Sequence, residues 1–436
     1  MDDLAFELLE QILEQVSFDS NPSVLSKTLR RCCLVSHTWK EIAQPLLFST
    51  FTLYRRYYDL SRLYNTLSAY RHLQGLVKCT WVAPSMLSSA FFVDILREVV
   101  SNPQFRDMII YRDFKYQTQS LIVLPSLISS PYITVLSFYR VTWCPIWMLY
   151  QCTSVRELHI YKSSFSGLRS DDAGELVIDK KAGCLLKNPG GDSSCLKDRP
   201  HLQHLYLESA ESGDIILLKW FLHPDCAFDV STLKTFHCLD MSNDITLFLL
   251  ARKLVQRVPS LEELALDPPT DLSEGLGYIS PEYPTFDPLP RLRRLKLSLQ
   301  QEDDINLWPW TIRFLSGLAH PERLEELQLP CTIPDGKMRR WAFRSGWNDL
   351  DAFLTSHLDN DGPPGRRRFS NLRRISVSAV RSSNEEDKRQ LRGFEAELAQ
   401  CIPRLKKLGV VQISHSDALG FVKNSDCWYL APFQKS

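Results

Sequence analysis

The residues that most resemble a site of chemistry are histidines and cysteines between positions 223 and 238. His223 and Cys226 are three residues apart, and His237 is followed directly by Cys238. Imidazole and thiolate groups are the usual zinc ligands in proteins, so this set could hold a metal ion. Both pairs also fall inside a repeating pattern described below, and Cys238 stands within its strand phrase. Packing in the core of the repeats is therefore the competing interpretation.

The signatures of common enzyme classes are absent from the sequence. It contains no Gly-x-Ser-x-Gly elbow, no glycine-rich phosphate loop ending in Lys-Ser or Lys-Thr, and no His-Glu-x-x-His helix. We therefore expect a protein without catalytic residues, cofactor or metal, and a hydrolase or metalloenzyme is the most remote alternative.

Two aromatic groups and one basic run could instead contact another macromolecule. The run is Arg366-Arg367-Arg368, which could be a nuclear-import signal or a patch for an acidic partner, but could equally be a solvated loop. Aromatic side chains can anchor protein interfaces, although packing in the core explains them as well. The aromatic residues concerned are Trp143, Trp147 and Tyr150 in one group and Trp308, Trp310, Trp341 and Trp347 in the other.

Composition limits the partners and the compartment. The 51 basic residues balance the 51 acidic ones, so the chain lacks the positive field that draws proteins to nucleic acid. The start, from Met1 to Glu14, has no basic region typical of a signal peptide, and no apolar run approaches the length of a membrane span. The 12 cysteines are scattered among apolar residues, as small buried side chains in a reducing compartment would be. We expect a soluble protein of the cytoplasm or nucleus that binds neither nucleic acid nor membrane.

A leucine phrase recurs along most of the chain and predicts the fold. In each copy a leucine is followed by apolar residues three and five positions later, and between Leu202 and Leu324 the copies return about every 28 to 32 residues. Clear copies begin at Leu202, Leu261, Leu292, Leu324, Leu372 and Leu405, and weaker ones at Leu73, Ile133, Val155 and Leu233.

Each phrase has the alternation of a strand, and the segments between phrases have helical spacing. One predicted helix runs from Ile245 to Val255, and another contains Leu391, Phe394 and Leu398. The pattern predicts an α/β solenoid over residues 51–436, with a parallel sheet on its concave face and helices on its convex face. Polar, glycine-rich residues 163–199 are expected to form a flexible insertion, and residues 267–290 and 357–369 to form loops.

The first 50 residues have a different pattern, that of three short helices. Apolar residues recur at helical spacing from Asp3 to Val16, and a second series follows Pro22. Ser36 is the predicted N-cap of a third helix, which Pro45 is expected to end. So little chain cannot cover all of its own apolar surface, so part of that surface should remain open to a partner.

The segment Leu4-Ala5-Phe6-Glu7-Leu8-Leu9 with Ile12, and the later stretch from Leu34 to Phe48 centred on Val35-Ser36-His37-Thr38-Trp39, resemble the F-box family. That family opens with Leu-Pro-x-Glu, and here Ala5 replaces the proline, which could weaken adaptor binding. The repeats resemble the divergent leucine-rich repeats found behind many fungal F-boxes. The resemblance implies that the module docks to the Skp adaptor of cullin-RING ubiquitin ligases. The residues it implies for docking or for packing of the module are Leu4, Phe6, Glu7, Leu8, Ile12, Leu34, Val35 and Trp39.

The sequence thus predicts an F-box module at residues 1–50 joined to an irregular leucine-rich-repeat solenoid. By resemblance, the function is that of a substrate-recognition adaptor of a Skp-cullin-F-box ubiquitin ligase, with an unknown protein substrate held on the repeats. The alternative is a non-catalytic repeat scaffold whose N-terminal helices only cap the solenoid.

Overall fold

The chain divides into two compact units, one ending at Pro200 and the other beginning at His201. They are seen in a computed structural model. It describes residues 8, 11, 22–52, 65–111, 118–170, 176–178, 199–208, 213–239, 245–267, 289–299, 307–332, 337–356, 367–380 and 385–416.

The first unit begins with helices and continues as a parallel sheet. Its helices are Pro22–Cys32 (α1), His37–Phe48 (α2), Arg71–Gln74 (α3), Ala90–Val100 (α4) and Thr118–Ile128 (α5), with 3-10 turns at Pro84–Ser88 and Ile146–Gln151. Its strands are Thr50–Thr52 (β1), Cys79–Val82 (β2), Asp107–Tyr111 (β3), Val135–Tyr139 (β4), Cys144–Pro145 (β5), Glu157–Tyr161 (β6), Phe165–Ser166 (β7), Leu168–Ser170 (β8) and Leu176–Ile178 (β9). β1, β2, β3, β4 and β6 pair in that order, all parallel.

The second unit alternates strands and helices. Its strands are His204–Glu208 (β10), Thr235–Leu239 (β11), Glu263–Leu266 (β12), Arg294–Leu297 (β13), Glu326–Thr332 (β14), Arg374–Val380 (β15) and Val411–Ser416 (β16). Its helices are Gly213–Leu222 (α6), Ile245–Gln256 (α7), Trp308–Ser316 (α8), Lys337–Thr355 (α9), Glu385–Cys401 (α10) and Pro403–Leu408 (α11), with a 3-10 turn at Pro321–Arg323. Each strand pairs in parallel with the next one along the chain. The predicted α/β class with a parallel sheet is confirmed.

The leucine phrases account for the strands because their apolar positions align from one strand to the next. In the second unit one row of paired residues has every member at most 1% exposed: Leu205, Phe236, Leu264, Leu295, Leu327 and Ile375. Burying one such side chain stabilises a fold by about 1.5 to 3 kcal/mol. We call this buried side of each sheet the inward face and the other side the open face. The predicted helices from Ile245 and around Phe394 are confirmed as α7 and α10.

Two of the predicted strand phrases are wrong. Leu405 begins helix α11, because Pro403 is preorganised for a first helical turn, and the strand starts only at Val411, after Gly409 ends the helix with a φ of 69°. Leu73 likewise lies in α3, and the buried position two residues before β2 belongs to Val77.

A further copy of the phrase escaped the sequence analysis because it begins with an aromatic residue. Phe105, Met108 and Ile110 occupy the three inward positions around β3, and all three are fully buried. Phenylalanine fills the leading position as well as leucine does, so the repeat extends through the first unit without interruption at this point.

The predicted insertion at 163–199 starts with paired strands instead of a structureless loop. β5 pairs with β7, and β8 forms an antiparallel pair with β9. Residues 171–175 and 179–198 lie outside the described residues, as do 268–288 and 357–366 of the other two predicted loops. None of the helices in the described ranges has the length and apolar character needed to cross a membrane.

Candidate docking site

The N-terminal helices are held by a small apolar core. Leu29 of α1 is 2% exposed, and Ile42 and Ala43 of α2 are 5% and 0% exposed. Cys32, Cys33, Trp39, Leu46 and Leu47 pack against these three residues. This core fixes the angle at which α1 meets α2 and therefore fixes the turn that joins them.

That turn presents two large apolar side chains to solvent. Leu34 is 87% exposed and Val35 is 64% exposed. Their backbone is ordered: the Leu34 amide donates to the Arg31 carbonyl at 3.0 Å, and the Val35 amide donates to the Cys32 carbonyl at 3.1 Å. Exposed aliphatic side chains on a hydrogen-bonded turn form a surface that can be buried against another protein at little cost in entropy.

Helix α2 begins as predicted and ends later than predicted. Ser36 is its N-cap, and its hydroxyl oxygen accepts a hydrogen bond from the Trp39 amide at 3.3 Å. The expectation that Pro45 ends the helix is wrong, because α2 continues to Phe48 with Pro45 inside it. Leu46 and Leu47 pack against the module core, and this burial keeps the residues after the proline helical.

The predicted docking residues fall into three groups. Leu8, at 47% exposure, shares with Leu34 and Val35 the exposure that docking requires. Trp39 is partly buried against the module core, so its ring contributes to packing within the module. The remaining predicted residues lie outside the described residues: Leu4, Phe6, Glu7 and Ile12.

The second unit offers a different surface, the open face of its sheet, where opposite charges face each other on neighbouring strands. Arg294 of β13 contacts Glu263 of β12 at 2.7 Å, and Arg374 of β15 contacts Glu326 of β14 at 3.4 Å. Opposite charges paired across strands stabilise the register of a sheet. The arginine side chains remain 48% and 44% exposed, so this face can also donate hydrogen bonds to a bound protein.

Glu263 is the centre of this charged row. Its carboxylate lies 2.9 Å from His237 Nε2, and the His237 ring packs edge-on against Tyr206 at 4.7 Å. Burial alone would raise the pKa of Glu263, but the hydrogen bond from His237 and the charges of His237, Arg294 and His204 outweigh burial and hold the pKa below its ordinary value. The carboxylate is therefore ionised throughout the neutral pH range.

The histidines and cysteines that resembled zinc ligands are not brought together. His237 and Cys238 are successive residues of β11, so they point to opposite faces of the sheet, and Cys238 is 2% exposed on the inward side. His223 Nδ1 accepts a hydrogen bond from the Asp225 amide, and Cys226 is buried. Within the part of the chain that the structure describes, no three potential metal-ligating side chains converge, and no disulfide links the cysteines.

The aromatic groups divide between core and surface. Trp308, Trp310 and Trp347 are at most 4% exposed and belong to the core of the second unit. Trp143 is 62% exposed and Tyr150 is 39% exposed, both in the first unit. The side chain of Trp341 lies outside the described residues.

Of the basic run, Arg368 is engaged in the fold, whereas Arg367 is exposed and Arg366 lies outside the described residues. The Arg368 guanidinium donates to the Ser316 carbonyl at 2.6 Å and lies over the Phe353 ring at 5.1 Å. A solvated loop therefore does not describe the whole run.

Several residues of these surfaces escaped sequence analysis. The pairing of Glu263 with Arg294 was foreshadowed by Glu-Glu and Arg-Arg dipeptides at equivalent positions of consecutive phrases, a signal that register makes visible. No sequence pattern singles out Arg140 or Lys162, which are considered below.

Comparison with known proteins adds no assignment: the sequence matches no protein-family model, and no curated protein aligns with it significantly.

Proposed function

We propose that this protein is a substrate-recognition adaptor of a Skp-cullin-F-box ubiquitin ligase, acting in the cytoplasm or nucleus. The N-terminal module would be an F-box that docks to the Skp adaptor, and the repeats would be a leucine-rich-repeat solenoid that holds a protein substrate. The observation that carries the proposal is the exposure of Leu34 and Val35, 87% and 64%, on a turn fixed by an apolar core.

The physical reason for such a module is that exposed apolar surface on a small helical pair has a cost in water unless a partner covers it. Leu8, Leu34 and Val35 would be buried by the adaptor, whereas Leu29, Ile42 and Ala43 would hold the helices in place. The two sets are distinct in exposure, and substitutions can therefore separate docking from folding.

The repeats would contribute binding and no bond chemistry. A substrate held on them would have its lysines at high local concentration near the ubiquitin carried by the ligase, and this proximity is the whole catalytic contribution of a receptor subunit. The charged open face of the second unit supports this role because it combines a rigid backbone with partly exposed arginine and glutamate side chains.

The test is co-purification of the full chain with a Skp adaptor at micromolar concentration, for the wild type and for Leu34→Ala with Val35→Ala. We expect the wild type to bind and the double variant to bind at least tenfold more weakly, because two apolar contacts at the centre of an interface would be lost. Ile122→Ala is the matched control, since Ile122 is an aliphatic side chain of 73% exposure outside the module.

Thermal unfolding of the double variant should match that of the wild type, because neither side chain is packed in the fold. Failure of the wild-type chain to bind the adaptor would refute the proposal. Equal binding by the double variant would move the docking surface away from the turn.

The packing of Trp39 against the module core favours a second candidate, in which the helices only cap a repeat scaffold. Under that alternative, Trp39→Ala would lower thermal stability, no adaptor would bind to any variant, and the turnover of bound proteins would be unchanged when this protein is absent.

A further inference from the structure

Two neighbouring loops of the first unit have unusual backbone geometry. Arg140 and Trp143 follow β4, Lys162 follows β6, and their φ angles are 51°, 62° and 44°. Within the described ranges, these are the non-glycine residues with positive φ. A side chain in this left-handed region costs about 1 to 2 kcal/mol per residue, which glycine would avoid.

The two loops are joined by backbone and hydroxyl hydrogen bonds. The Arg140 amide donates to the Tyr161 carbonyl at 2.8 Å, and the Val141 amide donates to the Ser163 hydroxyl at 3.0 Å. The Ser164 amide in turn donates to the Val141 carbonyl at 2.8 Å. Val141 is fully buried, so the loops are anchored in the core.

Trp143 is fixed within this arrangement and yet faces solvent. Its amide donates to the Ser164 hydroxyl at 3.4 Å, and its carbonyl accepts from the Ser166 hydroxyl at 3.2 Å. The next residue, Cys144, is fully buried and starts β5, but the indole of Trp143 is 62% exposed. A large aromatic group is thus displayed on a backbone that has already lost its conformational freedom.

Two cations stand beside this tryptophan on a stacked pair of tyrosines. The rings of Tyr139 and Tyr161 lie parallel, with centroids 4.5 Å apart. The Arg140 guanidinium lies 5.7 Å from the Tyr139 centroid, and the Lys162 amine lies 5.5 Å from the Tyr161 centroid. Cation–π contact with tyrosines of at most 8% exposure holds both charges at this edge of the unit.

We infer that Trp143, Arg140 and Lys162, together the Trp143 edge, anchor a segment of a partner protein that carries carboxylates next to an apolar side chain. A rigid exposed tryptophan is the residue type that contributes most to protein interfaces, and it binds with little loss of entropy. The two positive charges select an acidic segment through charge complementarity. This inference deepens the proposed function, on which it rests for the role of the partner as a substrate.

The test begins with peptide selection on the full chain. Random dodecapeptides displayed on phage are selected on immobilised wild-type protein, and the enriched peptides are then measured by fluorescence anisotropy. We expect enriched sequences that combine Asp or Glu with a large apolar residue. Absence of enrichment, or enrichment of sequences without carboxylates, would overturn the inference.

Variants then locate the binding surface. Trp143→Asn should weaken peptide binding at least tenfold, Trp143→Phe should retain most of it, and Arg140→Gln with Lys162→Gln should weaken it several-fold and reduce its dependence on salt. Tyr70→Ala is the control, because Tyr70 is an aromatic side chain of 56% exposure elsewhere in the first unit. Unchanged binding by Trp143→Asn would overturn the inference.

Stability and a second ligand class separate the remaining explanations. Asparagine tolerates positive φ, so Trp143→Asn should unfold at the same temperature as the wild type or higher, and a large loss of stability would show that Trp143 is structural. Binding to phosphatidylserine vesicles that depends on Trp143, without peptide binding, would assign the edge to membranes and refute a protein partner.

Co-purification of the Skp adaptor with Trp143→Asn should be unchanged. Peptide binding by a chain that binds no adaptor would refute the proposed function and leave the Trp143 edge intact. Adaptor binding by a chain that selects no peptide would do the opposite.

Discussion

Gly346 provides the sharpest test of how the helices of the second unit pack. It lies inside α9, and a Cβ atom at this position would overlap the indole ring of Trp308 on α8. Trp308 cannot move aside, because it is 4% exposed and its ring packs 4.8 Å from that of the fully buried Trp347. We therefore examine Gly346→Ala against Gly393→Ala, whose Cβ would meet no atom within 4 Å.

The two substitutions have the same helix propensity and differ only in packing. Replacing glycine with alanine inside a helix is worth about 0.5 to 1 kcal/mol, and Gly393→Ala on α10 should show that gain. At Gly346 the same gain is opposed by overpacking, which costs about 1 to 3 kcal/mol and more when the neighbouring ring is fixed. We expect Gly346→Ala to be less stable than Gly393→Ala by at least about 2 kcal/mol.

Urea and thermal unfolding of the full chain measure this difference. For a unit of this size, about 1 kcal/mol shifts the midpoint by roughly 2 to 4 °C, so the two variants should unfold several degrees apart. Equal stability of the two variants would refute the packing of α9 on Trp308. A further substitution, Trp308→Leu, should restore part of the stability lost in Gly346→Ala if the indole is the obstacle.

Three further predictions concern buried ionisable groups. Asp351→Ala should destabilise the second unit by about 1 to 3 kcal/mol in urea unfolding, because this carboxylate, 3% exposed, accepts a hydrogen bond at 2.8 Å from the Leu405 amide at the start of α11. Because the folded pKa of Glu263 is lowered, its contribution is present above the ordinary pKa of 4.5 and lost as the pH falls through the folded value, so acid unfolding of Glu263→Gln should depend less on pH. Burial raises the pKa of the Cys152 and Cys331 thiols to about 12, so both should resist iodoacetamide in the native state, as mass spectrometry can measure. Their raised pKa also means that stability holds below the ordinary pKa of 9.0 and declines as the pH rises toward 12.

The strands of the second unit could be predicted from the sequence because their signal is local. The phrase at Leu261, Leu264 and Leu266 alternates with period two, and the same spacing places its members on one face of β12. Prediction was wrong where the phrase coincided with a helix signal. At Leu405 the preceding Pro403 and the following Gly409 favoured a helical turn over the strand.

The candidate docking surface was foreseen in part. The sequence pattern at Leu34 and Val35 resembled a docking motif, and their exposure agrees with such a role without testing it. Trp39 shows the limit of the pattern: its spacing is that of a motif residue, but only packing against Leu29 and Ile42 reveals how much of the ring the module itself uses.

By itself, the sequence determined the strand positions, the alternation with helices and the parallel class, because these follow from the spacing of apolar residues a few positions apart. The tertiary structure decided which polar residues meet. Asp351 reaches the start of α11 from α9, Arg368 reaches the end of α8, and the loops after β4 and β6 force Arg140 and Trp143 into positive φ. The physical reason is that such contacts depend on the register between strands and the packing of whole helices, and residues distant in the chain leave no local pattern of them in the sequence.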